Sequence, residues 1–283
     1  MTRILSFGGG VDSTALLAIN LNRNVAAARL GISRDELDRK FPPVDAVTFA
    51  DVGSEFPSTY TNVEYAKGRC EAQGLRFEVV KHGTDTLRDQ LDRTGTVPLL
   101  PGGGHTCSVK YKKTVQHKWA AANYTGTVYW AIGIEANEKS RTFSTGSTER
   151  HQSTFPLQEL GLDRAACQQL LIDLDWGVPV SKSSCYFCPF FKRHEIENLY
   201  RNHPALWAEV KKIEDNYRAT SPAKHQAWID GGRQLRGKSQ RAPVGQWKED
   251  SWAKGGRLFG GLKINGKALS IREWEAKFDL TGE

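Results

Sequence analysis

The chain has 283 residues, with 39 Lys and Arg against 32 Asp and Glu, a net charge of +7. That length holds one large domain or a core domain with an appendage, and 39% apolar with 25% charged residues excludes disorder as the main state. No apolar run approaches the ~20 residues a membrane-spanning helix requires, and Met1 leads through Arg3 straight into Ile4-Leu5-Ser6-Phe7 without the apolar stretch of a secretory signal. The expected location is therefore the cytoplasm, with no membrane partner.

Ile4 to Phe7 reads as a short strand ending in Gly8-Gly9-Gly10, after which Asp12-Ser13-Thr14 opens a helical apolar series. Val44 to Phe49 is a second strand, closed by Asp51-Val52-Gly53, and Thr59 to Gln73 is a helix. Leu75 to Val80 is a third strand. The turn-rich Pro101-Gly102-Gly103-Gly104 precedes a helix over His105 to Asn123, and Thr127 to Ile132 makes a fourth strand that stops at Gly133. Polar, irregular sequence through about Ser153 reads as an active-site loop or a surface excursion. Asp163 caps a helix running to Trp176, with Gly177 as its stop, and helical patterns resume from His194 to about Arg218. This alternation predicts an α/β fold, a doubly wound parallel sheet over 1–180, because parallel crossovers need helix-sized connections. Residues 181–283 form a cysteine-bearing segment with a helical, basic extension.

The strand, Gly8-Gly9-Gly10, helix sequence aims backbone N–H groups and a helix N-terminus at one spot, an arrangement suited to phosphate. Ser13 adds a hydroxyl. Asp12 serves either as the helix cap or as a partner for Mg²⁺ carried in by a nucleotide. The Walker and dinucleotide spacings are both absent.

Five cysteines without a secretory signal argue for metal, redox chemistry or burial rather than a disulfide framework. Cys185 and Cys188, at C-x-x-C spacing before Pro189, can turn both sulfurs to one side. Cys107 and Cys167 are the candidate additional ligands, and four thiolates suit [4Fe–4S] or Zn²⁺ equally. Cys167 is alternatively a helix-core residue, and Cys70 reads as core filler. From Arg233 to Lys267, nine Lys or Arg against two acids alternate with Trp247, Trp252 and Phe259, a mix that pairs phosphate attraction with base stacking.

Ser6-Phe7-Gly8-Gly9-Gly10-Val11-Asp12-Ser13 resembles the PP-loop of the ATP pyrophosphatase superfamily, with Gly8 where that family commonly places serine. Phe49 to Pro57, with Asp51, Gly53 and Glu55, is similar to the segment bordering the adenosine in phosphoadenosine phosphosulfate (PAPS) reductase-like proteins. Cys107-Ser-Val-Lys110-Tyr-Lys112 resembles that branch's cysteine-led helix, and Gly133 to Arg141 its post-strand loop with a terminal arginine. Pro156-Leu157, the Cys167 helix and Ser183-Ser-Cys185-Tyr-Phe-Cys188-Pro189-Phe190 resemble a subgroup often found in phages and bacteria. The resemblance spans roughly residues 1–215.

It implies an adenine nucleotide, ATP or PAPS, held by Ser6, Gly8, Gly9, Gly10, Asp12, Ser13, Asp51, Gly53, Glu55 and Gly133. Asp12 orients Mg²⁺, and Lys110 and Arg141 supply further phosphate contacts. The E-C-G-L-H segment of sulfite-forming PAPS reductases is missing here, and no cysteine follows Cys188. The combination is closer to members that thiolate nucleic acid, such as tRNA 2-thiocytidine synthetase. The implied function is nucleotide-dependent sulfur transfer or a related modification of DNA or tRNA, with a cysteine desulfurase or another sulfur donor, in a bacterial or phage-infected cytoplasm. The alternatives are PAPS reduction by an external thiol and a non-catalytic, zinc-stapled binding module.

Overall fold

The computed structural model describes residues 1–98, 107–230, 257–259 and 262–280. Pro101–Gly104, Trp247, Trp252 and most of the basic stretch after Arg233 lie outside them. The chain divides into two compact units: residues 1–84 with 109–184, and residues 85–108 with 185–283.

The first unit is a doubly wound α/β sheet. Its strands are β1 (Thr2–Phe7), β2 (Ala46–Asp51), β3 (Arg76–Lys81), β4 (Val128–Ile132) and β5 (His151–Thr154), all parallel, in the order β3-β2-β1-β4-β5. Around them run α1 (Val11–Leu21), α2 (Arg23–Leu30), α3 (Arg34–Lys40) and α4 (Pro57–Glu71), then, after α5 (Leu87–Thr94) of the second unit, α6 (Thr114–Asn123), α7 (Lys139–Thr145), α8 (Pro156–Glu159) and α9 (Arg164–Asp173). Alternation along each strand sorts the core. Leu5, Phe7, Val47, Phe49, Phe77 and Ala131 face α1, α4 and α9, while Ile4, Val128 and Trp130 pack with Ala120 of α6 on the opposite face. With both faces covered, β2 is buried along its whole length.

Three local expectations are revised. Gly10, not Asp12, is the N-cap of α1, and Asp12 lies in its first turn. The stretch read as irregular up to Ser153 contains α7 and β5. Asp163 does cap α9, accepting from the Ala166 amide at 2.8 Å, but the helix ends at Asp173 and the chain turns left-handed at Asp175 rather than at Gly177.

The described second unit has α5, α10 (Arg193–Asn202), α11 (Pro204–Asp230), the antiparallel pair β6 (Lys263–Ile264) and β7 (Lys267–Ala268), and α12 (Ile271–Leu280). Its core is aromatic: Phe259 stacks on Phe191 at 5.6 Å, and Trp274 on Phe278 at 5.4 Å. Phe259 is fully buried, so the expectation that it stacks on bases gives way to a packing role. Within the same core the buried Glu214 accepts the amides of Leu258 and Ile271 at 3.0 Å each, and burial raises its pKa.

Candidate functional site

The connections from β1 to β3 step away on one side of β1, and the next strand, β4, lies on its other side. The strand order therefore reverses between β1 and β4, and the crevice beyond their C-terminal ends is where open α/β sheets bind ligands. The glycine turn leaves β1 at that crevice, and Gly133 leaves β4 beside it. A methyl group on Gly133 would lie 2.7 Å from the Ser13 nitrogen and 3.0 Å from the Asp12 carbonyl carbon.

The turn is braced through its carbonyls. Asn62, buried on α4, donates to the Gly9 carbonyl and to Thr14 Oγ1, both at 2.9 Å, and its Oδ1 accepts from Trp176 Nε1 at 2.9 Å. The Gly10 carbonyl accepts from the Thr14 amide at 3.0 Å and its hydroxyl at 2.8 Å. Gly9 has φ +74°, where a side chain is strained, and a methyl there would also meet Thr59 Cγ2 at 2.8 Å. The amides of Gly9, Gly10, Val11, Asp12 and Ser13 find no acceptor among the described residues, and no side chain caps α1. Each helix-end interaction with an anion contributes only ~0.3–1 kcal/mol, so several amides acting together would be needed to hold one. The Ser13 hydroxyl is used internally, accepting from the Gly8 amide at 3.1 Å and donating to the Gly10 carbonyl at 3.2 Å. Ser6 points elsewhere, donating to Gln116 Oε1 of α6 at 3.1 Å.

Asp12 is 7% exposed. Its Oδ2 pairs with Arg164 at 2.9 Å, while the buried Oδ1 has no partner among the described residues. Burial lifts its pKa to about 6; Arg164 opposes this, Glu138 and Glu135 add to it, and Arg141 opposes it more weakly. Arg141 thus stands in the electrostatic field of the turn, and it pairs with Glu138. A carboxylate oxygen held in a dry site without a donor suits a divalent cation, so Mg²⁺ fits Asp12. Arg164 was not legible as a site residue, since nothing in its local sequence marks it, and Glu135, inside the Gly133–Arg141 loop, was not singled out within that loop.

The segment after β2 makes a second charged group. Asp51 Oδ1 accepts from the Gly53 amide at 2.7 Å and the Tyr60 hydroxyl at 2.8 Å, and its Oδ2 pairs with Lys81 at 3.1 Å. Glu55 is buried, pairing with Lys112 at 2.8 Å and leaving Oε2 without a partner. Lys110 lies nearby in sequence, on a π-helical turn (Ser108–Lys113), its ammonium 5.3 Å from the centre of the Tyr111 ring.

Of the cysteines, Cys185 and Cys188 share a tight turn, the Cys188 amide donating to the Cys185 carbonyl at 3.0 Å, and both are partly exposed. Cys107 is partly exposed as well. Cys167 is fully buried in the apolar core of the first unit, where burial, reinforced by the Asp12 carboxylate, pushes its thiol up to about 12. Among the described residues, no three His, Cys, Asp or Glu side chains gather into a group able to hold a metal ion. Nor is any described helix long and apolar enough to cross a membrane. No protein-family model matches the chain, and no curated protein matches it.

Proposed function

We propose that the first unit binds an adenine nucleotide with its phosphates over the Gly8–Ser13 turn, and that its cleavage drives sulfur transfer or a related modification of nucleic acid. The observation that carries the reading is the pairing, at the sheet's reversal point, of acceptor-free amides with a buried carboxylate that keeps one oxygen free. Amides alone suit any oxyanion. A carboxylate beside them repels a bare anion and suits one that arrives with a divalent cation, which is how a nucleoside triphosphate travels.

The chemistry follows from charge. Joining an acceptor oxygen to the α-phosphorus of ATP expels pyrophosphate and converts that oxygen into a good leaving group, which a sulfur nucleophile then displaces as AMP. The barrier falls when fixed dipoles meet the charge growing on the departing pyrophosphate. The amides of the turn are such dipoles, and Arg141 is proposed as a further phosphate contact; Mg²⁺ at Asp12 would neutralise phosphate charge. Asp51, Gly53 and Glu55, at the end of the neighbouring strand, are proposed to border the adenosine. Cys185 and Cys188 are proposed thiolate ligands of a [4Fe–4S] cluster or of zinc, read out by the absorption spectrum and metal content of anaerobically purified protein. The proposed setting is a bacterial or phage-infected cytoplasm.

Turnover of ATP to AMP and pyrophosphate, assayed with tRNA or DNA and a sulfide source, tests the proposal. Asp12→Ala is expected to lose this turnover while remaining folded. Sulfite release from labelled PAPS would replace the reading with a reductase, and an intact ATP pool under all conditions would leave only a binding module.

A further inference from the structure

The glycine turn has a neighbour that comes from far along the chain. A methyl group on Gly10 would lie 2.8 Å from the Ser183 hydroxyl and 3.2 Å from the Ser183 nitrogen, and one on Gly8 would lie 3.7 Å from the same hydroxyl. Ser183 therefore rests on the turn. Gly10 has φ −95° and ψ 174°, extended backbone that any residue adopts, so the backbone does not require glycine at that position. Contact with Ser183 does.

Neither the hydroxyl nor the amide of Ser183 has a hydrogen-bond partner among the described residues. The Ser13 hydroxyl, by contrast, spends its single proton on the Gly10 carbonyl. The turn itself thus offers an anion amides but no hydroxyl. Asp12, in the first turn of the helix that the glycine turn opens, is nine-tenths buried and its Oδ1 has no partner among the described residues.

We infer that Ser183 completes the phosphate cradle, giving its O–H and N–H to a phosphate group alongside the amides of the turn, and that Ser13 is a brace rather than a phosphate contact. Two adjacent donors on one residue suit a tetrahedral oxyanion, which presents two acceptor oxygens on any edge. The ligand class is a di- or triphosphate, and the inference rests on the phosphate-binding reading of the turn.

Calorimetric titration of the full chain with inorganic pyrophosphate, with and without Mg²⁺, separates the two claims. Ser183→Ala is expected to weaken binding about tenfold, equivalent to ~1.4 kcal/mol. Ser183→Thr keeps the hydroxyl and is expected to stay within about threefold of the parent, on the scale of a hydrogen bond to a charged group. Ser181→Ala, whose exposed hydroxyl lies 3.4 Å from that of Ser58, is the control expected to change nothing. Thermal midpoints should not move for Ser183→Ala, since its hydroxyl has no hydrogen-bond partner among the described residues. Undiminished pyrophosphate binding by Ser183→Ala overturns the role of Ser183 and leaves the turn as the site. Failure of the parent protein to bind either pyrophosphate or ATP overturns the phosphate reading of the turn and this inference with it.

Discussion

Gly133 shows how much one missing side chain decides. It was legible as the stop of the fourth strand, but its reason is contact. The atoms a methyl would strike are backbone atoms of Asp12 and Ser13, at 2.7 and 3.0 Å, which cannot swing aside as the end of a long side chain would. Gly133→Ala must therefore push β4 and the start of α1 apart, disturbing the amides proposed to bind phosphate. Overpacking of this kind costs ~1–3 kcal/mol. The variant is expected to lose that much stability in urea denaturation and to bind pyrophosphate more weakly; an unchanged midpoint with unchanged binding would mean the approach relaxes freely. The same residue scale shows where reading a sequence stops. Gly8–Gly10, Asp12 and Ser13 announce themselves by adjacency, whereas Arg164 and Ser183 reach the turn only through the fold. Ser13 is adjacent as well, but the direction of its hydroxyl, toward the Gly10 carbonyl, is not given by a motif, which gives residue types only.

Among the elements, the interior strands β1, β2 and β4 were visible because strands covered on both faces read as near-continuous apolar runs, and the edge strand β3 through the apolar residues of Leu75 to Val80. β5, His151-Gln-Ser-Thr, is polar and flanks β4 on one side only, so its sequence carries no such signal. Part of what fixes it is a ring stack. His151 lies 3.8 Å from His117 of α6 at an interplanar angle of 12°, and Trp130 Nε1 donates to His151 Nδ1 at 3.1 Å. That bond requires the nitrogen to be unprotonated. Burial holds His117 down to about 4, with His151 and Lys113 pushing the same way, and His151 is lowered by burial, Arg150 and Lys113. Both histidines therefore bind protons more readily unfolded than folded. The stability they contribute is present above the ordinary histidine value near 6.5 and drains away as pH falls toward 4. His117→Phe keeps a stacked ring without the proton site and is expected to flatten the decline in urea midpoint between pH 7 and pH 4.5. Parallel declines in the two proteins would show that the stack does not set the pH dependence.

At the scale of the molecule, the two units are not consecutive stretches of chain. Residues 85–108 leave the first unit, join the second, and return before α6. A boundary read along the sequence has no way to register that excursion, because the partners of α5 lie more than a hundred residues away. Those partners are specific. Asn216 donates to the Asp92 carbonyl at 2.7 Å, and Thr220 and Lys224 donate to the Gly95 carbonyl at 3.1 and 2.7 Å, so α11 supplies the cap that the end of α5 needs. Arg88 pairs with Glu209 at 3.1 Å, and Leu87 and Leu91 are buried. An eight-residue helix is too short to persist without such support. A chain ending at Ser184 keeps all the residues of the first unit but strands α5 without its cap and its apolar contacts. Trypsin is therefore expected to cut this shortened chain after Arg88 and Arg93 at early times, while the full chain resists at both positions, because cleavage needs local unfolding rather than surface exposure alone. Equal protection of the two arginines in both proteins would show that α5 holds its form without α11.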